Sequence, residues 1–134
     1  MRNEHWNLGG DLQITRMGFG AMRLPAKSWD GPAGDRDTAL AVLRRAVELG
    51  VTHIDTAAFY TYGDLAANEL IRQALHPYPE GLVIATKVGP RLDERGRPSG
   101  EQTAGELRAS VERNLRELGV DRLDLVYLRV GGLG

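Results

Sequence analysis

Asp37-Thr38-Ala39-Leu40-Ala41-Val42-Leu43-Arg44-Arg45-Ala46-Val47-Glu48-Leu49-Gly50-Val51-Thr52-His53-Ile54-Asp55 holds a helix, its stop and a strand without a break. Leu40, Leu43 and Val47 recur at helical spacing with Ala39 and Ala46 beside them, while Arg44, Arg45 and Glu48 fall on the other side. Asp35 or Asp37 can cap the first turn, because a short carboxylate accepts from the unpaired N–H groups there. Gly50 stands where the chain needs a left-handed residue to leave the helix. Val51 to Asp55 is then a short, β-branched strand. A helix feeding a strand across one glycine is half of a βαβ unit.

The same pattern repeats on the C-terminal side. Ala66 to Leu75 reads as a second helix, with Leu70, Ile71, Ala74 and Leu75 on its apolar side and Pro77 and Pro79 stopping it. Leu82 to Thr86 is a continuous apolar strand, the composition of a strand covered on both faces. Gly89 to Gly100 is charged and rich in Gly and Pro, so it reads as a loop, with the Arg91-to-Arg97 charge run solvated. Thr103 and Glu106 form a capping box, and Leu107, Val111, Leu115 and Leu118 make the buried stripe of a third helix that ends at Gly119. Leu123 to Val130 is a fourth strand.

On the N-terminal side, Trp6–Leu8 and Leu12–Ile14 flank Gly9-Gly10 and predict a hairpin. Met17 to Leu24 predicts a buried strand ending at Pro25, and Ala26 to Gly34 a loop. The order is therefore a hairpin followed by βαβαβαβ, which demands a parallel sheet with right-handed crossovers.

Composition narrows the function classes. The 134 residues suit one domain with a real core. The 17 basic and 18 acidic residues leave a net charge of -1, so no basic face for nucleic acid is expected. Cys is absent, which excludes disulfides and thiolate zinc sites and suits a cytoplasmic setting. The start, Met1-Arg2-Asn3-Glu4-His5, leads into no apolar stretch, and nothing is long and apolar enough to span a membrane.

A βαβαβαβ chain can be an open nucleotide-binding sheet or part of a barrel. The open sheet wants G-x-G-x-x-G after its first strand. Gly18-Phe19-Gly20 lacks the third Gly and runs into Met22, Arg23, Leu24 and Pro25 rather than a helix start. In a parallel sheet, Asp55, Lys87 and Arg129 all sit at strand C-termini, on neighbours roughly 4.8 Å apart. Three charged side chains gathered at one mouth is the placement of a barrel active site. His53 shares a strand face with Asp55 and reads as a buried, hydrogen-bonded core residue, since no second ligand at metal spacing accompanies it. His5 and His76 read as terminal and loop residues, and Asp124 as structural. Trp6 and Trp29 shape either the barrel bottom or a substrate rim.

At this point the residues resemble a known family. Gly50 to Tyr60 (GVTHIDTAAFY) resembles the aldo-keto reductase strand that ends in D-T-A with Tyr five residues after Asp. Asn68 to Leu75 is similar to that family's N-E-x-x-x-x-A-L helix, and Ile84-Ala85-Thr86-Lys87 to its strand ending in T-K. Leu107 to Leu128 (LRASVERNLRELGVDRLDLVYL) resembles the family's segment that contains L-x-x-L-G-x-D-x-x-D-L. The resemblance covers nearly the whole chain, in order. It implies a partial (β/α)8 TIM barrel over residues 1–134, with an N-terminal hairpin and about four β/α units. It also implies NADP-dependent reduction of a small aldehyde or ketone.

The chemistry of the residues agrees. Hydride delivery to a carbonyl carbon builds charge on oxygen, so a general acid must lie close. An unperturbed phenol, with a pKa of about 10, donates poorly at neutral pH. A cation beside it stabilises phenolate, and a carboxylate holds that cation in place. The resemblance and this logic give Tyr60 as acid, Lys87 as cation and Asp55 as orienting carboxylate. Tyr62 is the rival phenol. Arg129 stands where the family usually has His, in a D-L-x-x-x-R ending that resembles a bacterial branch, and can still donate to a carbonyl oxygen. Gly20, Ala21, Met22 and Asp55 match the nicotinamide end of the cofactor site. A complete barrel takes about 250 residues, and the family holds the cofactor's phosphates by loops after later strands. The chain is therefore expected to be the N-terminal half of a barrel, inactive alone, and to self-associate through an open edge.

Overall fold

A computed structural model of the chain describes residues 4–28 and 30–130. The elements run β1 (His5–Leu8), β2 (Leu12–Thr15), β3 (Phe19–Gly20), α1 (Arg36–Glu48), β4 (His53–Asp55), β5 (Thr61–Tyr62), β6 (Leu65–Ala66), α2 (Ala67–Leu75), β7 (Val83–Val88), β8 (Pro90–Leu92), β9 (Pro98–Glu101), α3 (Ala104–Leu118) and β10 (Leu125–Leu128).

Strands β3, β4, β7 and β10 adjoin in chain order and every pairing among them is parallel. Helices α1, α2 and α3 likewise pack each on the next. Ile54 and Ile84 point from the strands into this helical layer, where they meet Leu43, Leu70, Ile71 and Leu118. Strand alternation then sends His53, Asp55, Ala85 and Lys87 to the opposite face. A sheet whose order never reverses, with helices on one side, is the wall of a barrel and not a doubly wound sheet. The partial barrel expected from the sequence is the fold observed.

Local chemistry explains the boundaries. Asp35 caps α1 by accepting from Thr38 N at 2.8 Å and Thr38 Oγ1 at 2.7 Å. Thr103 and Glu106 form the capping box of α3, and Gly119 closes it in the left-handed conformation. Thr15 and Thr52 exchange hydrogen bonds of 3.0 and 3.1 Å, which fix the β1–β2 hairpin under the N-terminal ends of the parallel strands.

Four expectations need correction. Strand β3 is two residues long, not Met17 to Leu24. The Ala21 N–H bonds to Asp55 O at 2.9 Å and Leu24 N then returns to Ala21 O at 3.1 Å, turning the chain away from the sheet. Residues 89–100 are not an open loop but mostly the antiparallel β8–β9 hairpin. The Asp93 carboxylate makes that turn by accepting from Arg95 N at 2.8 Å and Arg97 N at 2.9 Å. The fourth strand shortens to Leu125–Leu128, with Asp124 accepting from Ile84 N at 3.3 Å just before it. Finally, Leu107, Val111 and Leu115 are half-buried, and Asn114 with Leu118 is what α3 buries completely. The reason is that α3 packs on α2 and β7 while its other flank faces outward among the described residues.

The Glu106 carboxyl is held below the usual carboxylate range, first by the Thr103 N–H and then by Arg91. A carboxyl depressed by folding stabilises the fold above its unfolded value, about 4.3, and loses that effect as pH falls through the folded value. The protection of the first-turn amides of α3, relative to their intrinsic exchange rates, should fall as pH drops below about 4. In Glu106→Gln that fall should vanish, and an unchanged pH profile in the variant would refute the assignment.

Candidate active site

The parallel register decides what meets at the strand C-termini. Asp55 pairs with Ala85 across β4 and β7, and Lys87 lies two residues further along the same face. Lys87 Nζ reaches the Asp55 carboxylate at 2.7 Å and Thr56 O at 2.9 Å. The ammonium therefore has two of its donors satisfied at the end of the neighbouring strand. It also lies 4.9 Å from the centre of the Tyr60 ring. Tyr60 is buried, packs edge-on against Phe59 with ring centres 5.2 Å apart, and is held by its own N–H to Ala57 O at 3.1 Å. The structure thus brings Asp55, Lys87 and Tyr60 to one place.

The second phenol is engaged elsewhere: the Tyr62 hydroxyl donates to the Gly31 carbonyl. Arg129 reaches the cluster by a different route, its guanidinium lying 5.6 Å from the centre of the Phe59 ring. Its backbone is fixed by Arg129 N donating to Val88 O at 2.8 Å. Gly89, at φ +129, sits against the Arg129 backbone so closely that a Cβ would collide with its carbonyl.

Gly20 pairs with Asp55, and a Cβ built on it meets nothing within 4 Å. Ala21 is fully buried behind it, and Met22 lines a small cleft with Pro25, Phe59, Tyr60 and Tyr62. His53 differs from expectation. Its Nε2 is buried with no hydrogen-bond partner among the described residues, and its ring packs beside Gly18. Trp6 is largely exposed on the bottom hairpin, far from any rim at the strand C-termini, and Trp29 lies outside the described residues.

The model of the aldo/keto reductase family matches residues 16–129, most of the chain. The chain belongs to the aldo/keto reductase family. It is 46% identical over 121 residues to pyridoxine 4-dehydrogenase of Escherichia coli, covering 90% of this chain and 42% of that protein. It is 32% identical to L-glyceraldehyde 3-phosphate reductase of the same organism, over 88% of this chain and 36% of the relative. Among solved structures, a putative aldo-keto reductase from Pseudomonas aeruginosa matches with TM-score 0.80 and 30% identity, over 98% of this chain and 48% of that one. The holo form of an aldo-keto reductase from Bacillus halodurans matches with TM-score 0.72 and 27% identity, over 97% and 41%. The chain spans less than half the length of these relatives.

Family members use NADP(H), and the residues present fit one end of it. Gly20 offers an open, side-chain-free position beside Asp55, and the Ala21 N–H is already committed to Asp55 O. A flat ring can therefore approach without meeting a Cβ.

A buried set of polar residues escaped the sequence reading. Thr56, Asn68, Thr86 and Asn114 are all at most 1% exposed and bond to one another directly behind Asp55 and Lys87. The available signal was Asn114 itself, which falls on the same α3 face as Leu107, Val111 and Leu118 and breaks the stripe.

Gly89→Ala should cost about 1–3 kcal/mol in chemical denaturation, from the strained φ alone, and should shift the Arg129 backbone resonances. A loss within the error of the extrapolation would show that the contact relaxes freely.

Proposed function

We propose that these residues form the acid side of an NADPH-dependent carbonyl reductase site, with Tyr60 as the general acid. The observation that carries this is Lys87 Nζ, held 2.7 Å from the Asp55 carboxylate and 4.9 Å from the centre of the Tyr60 ring. NADPH, when bound, supplies a hydride to the carbonyl carbon. Tyr60 gives its phenolic proton to the carbonyl oxygen, and the product is the alcohol. The Lys87 ammonium faces the phenolate left behind and stabilises it, while Asp55 and Thr56 O keep the ammonium aimed. Arg129, above Phe59, is placed to donate to the substrate oxygen or another polar group on it. Gly20, Ala21 and Met22 line the nicotinamide side. The relative named pyridoxine 4-dehydrogenase makes pyridoxal a natural first aldehyde to test. A Cys-free chain suits a reducing, cytoplasmic compartment.

The 134 residues alone are expected to bind NADPH weakly and not to turn over, since they span less than half the length of the relatives they match. Fluorescence titration with NADPH and an oxidation assay with a generic aldehyde test this. Saturable micromolar binding with turnover by the chain alone would contradict it. In a protein carrying the remaining strands, Tyr60→Phe should lower turnover by roughly 10²–10⁴-fold. Tyr62→Phe should leave it within a few-fold, since its hydroxyl serves Gly31. The reverse pattern would transfer the acid role to Tyr62.

The sheet edge favours a second reading, a self-associating module without catalysis. Among the described residues strand β10 pairs on one side only, and Leu128 and Val130 are 63% and 54% exposed at its end. Sedimentation at micromolar concentration should then show oligomers, whereas a monomer with a sharp, cooperative melt would remove this reading.

A further inference from the structure

We propose that Thr56, Asn68, Thr86 and Asn114 form a positioning network that sets the Asp55–Lys87 pair from behind the sheet. The inference rests on the reading that this pair is the working one.

Alternation along the strands is the starting point. Asp55 and Lys87 face inward, so their chain neighbours Thr56 and Thr86 face the helices. Both threonines are fully buried. Thr86 Oγ1 donates to Asn114 Oδ1 at 2.7 Å, and Thr56 Oγ1 donates to Asn68 Oδ1 at 2.8 Å. Asn68 Nδ2 closes the circuit by donating to Asn114 Oδ1 at 3.0 Å. Each member of the ion pair is therefore one residue from a hydroxyl tied to one of two mutually bonded amides, Asn68 on α2 for Thr56 and Asn114 on α3 for Thr86.

The direction of every bond follows from two groups that can only accept. Asn114 Nδ2 must face the Ser110 carbonyl, 2.8 Å away, which turns its Oδ1 toward Thr86 and Asn68. Asn68 Nδ2 also meets the Glu117 carboxylate at 3.0 Å, which turns the Asn68 Oδ1 toward Thr56. Neither amide can flip without setting two donors or two acceptors against each other. Glu117 in turn accepts from Arg113 at 2.6 Å, and Arg113 reaches Ala58 O at 3.3 Å, in the segment that carries Tyr60. A fully satisfied buried network of this kind resists deformation, whereas a partly satisfied one does not. Sliding β4 against β7 would break it, and the same sliding would part Lys87 from Asp55. The four side chains are positioning groups, since all lie on the helix side of the sheet and only the Thr56 backbone carbonyl reaches Lys87.

The test separates shape from hydroxyl. Thr86→Val keeps the volume and removes the donor, and Thr86→Ser keeps the donor. Nitrogen-resolved NMR of the 134-residue chain would follow hydrogen exchange of the Lys87 ammonium, with thermal melts alongside. Exchange should accelerate roughly ten-fold in Thr86→Val and stay within about two-fold in Thr86→Ser. Thr56→Val should behave like Thr86→Val and serves if the latter does not fold. Because the two threonines act through mutually bonded amides, the double variant should exchange little faster than the faster single one. A lowered melting temperature with unchanged Lys87 exchange in Thr86→Val would overturn the proposal, as would single effects that simply multiply. Lack of turnover by a protein carrying the remaining strands would instead refute the functional reading and leave this result intact.

Discussion

The parallel pairing of β4 with β7 is the constraint on which the rest depends. It aligns Asp55 with Ala85, so that Lys87, two residues on, leans back across the gap to the carboxylate and to Thr56 O. Shifting the register by one residue would send Lys87 into the helical layer and Thr86 to the mouth. The pair is only partly shielded, with side-chain exposures of 16% for Lys87 and 39% for Asp55. Its contribution to stability is accordingly small once desolvation is counted. What it supplies is a fixed cation beside a buried phenol.

The barrel wall divides the labour between its two faces. The helix side supplies the cohesion, through Leu43, Ile54, Leu70, Ile71 and Leu118, and also holds the polar network behind the strand ends. The inner side carries Asp55 and Lys87, the pair on which the proposed chemistry rests. The N-terminal hairpin lies at the opposite end, tied there by its Thr15–Thr52 hydrogen bonds. The exposed end of β10 and the half-buried flank of α3 are the apolar surfaces such a wall presents where it is not continued among the described residues.

Features made by local interactions were legible in the sequence. The Asp35 cap, the Thr103–Glu106 box, the Gly9-Gly10 hairpin and the Gly119 stop each depend on residues within four positions of one another. The Asp55–Lys87 meeting was legible as well, though 32 residues separate the two, because parallel strands place every C-terminus at one end. The β8–β9 hairpin was not, since Gly, Pro and charge mark a loop by composition while an Asp93 turn organises it. Nor was the Asn68–Asn114 contact, because a polar residue on an apolar stripe does not announce its partner 46 positions away. His53 kept its place on the inner face, but its Nε2 finds no hydrogen-bond partner among the described residues.

The most direct test of the central claim is a double-mutant cycle on Asp55→Asn and Lys87→Met, read out as NADPH-dependent carbonyl reduction by a protein carrying the completed barrel. If the pair acts as one unit beside Tyr60, each single variant should lose nearly the whole rate and the double variant little more. A single variant that keeps its rate within a few-fold, or losses that multiply, would contradict the account.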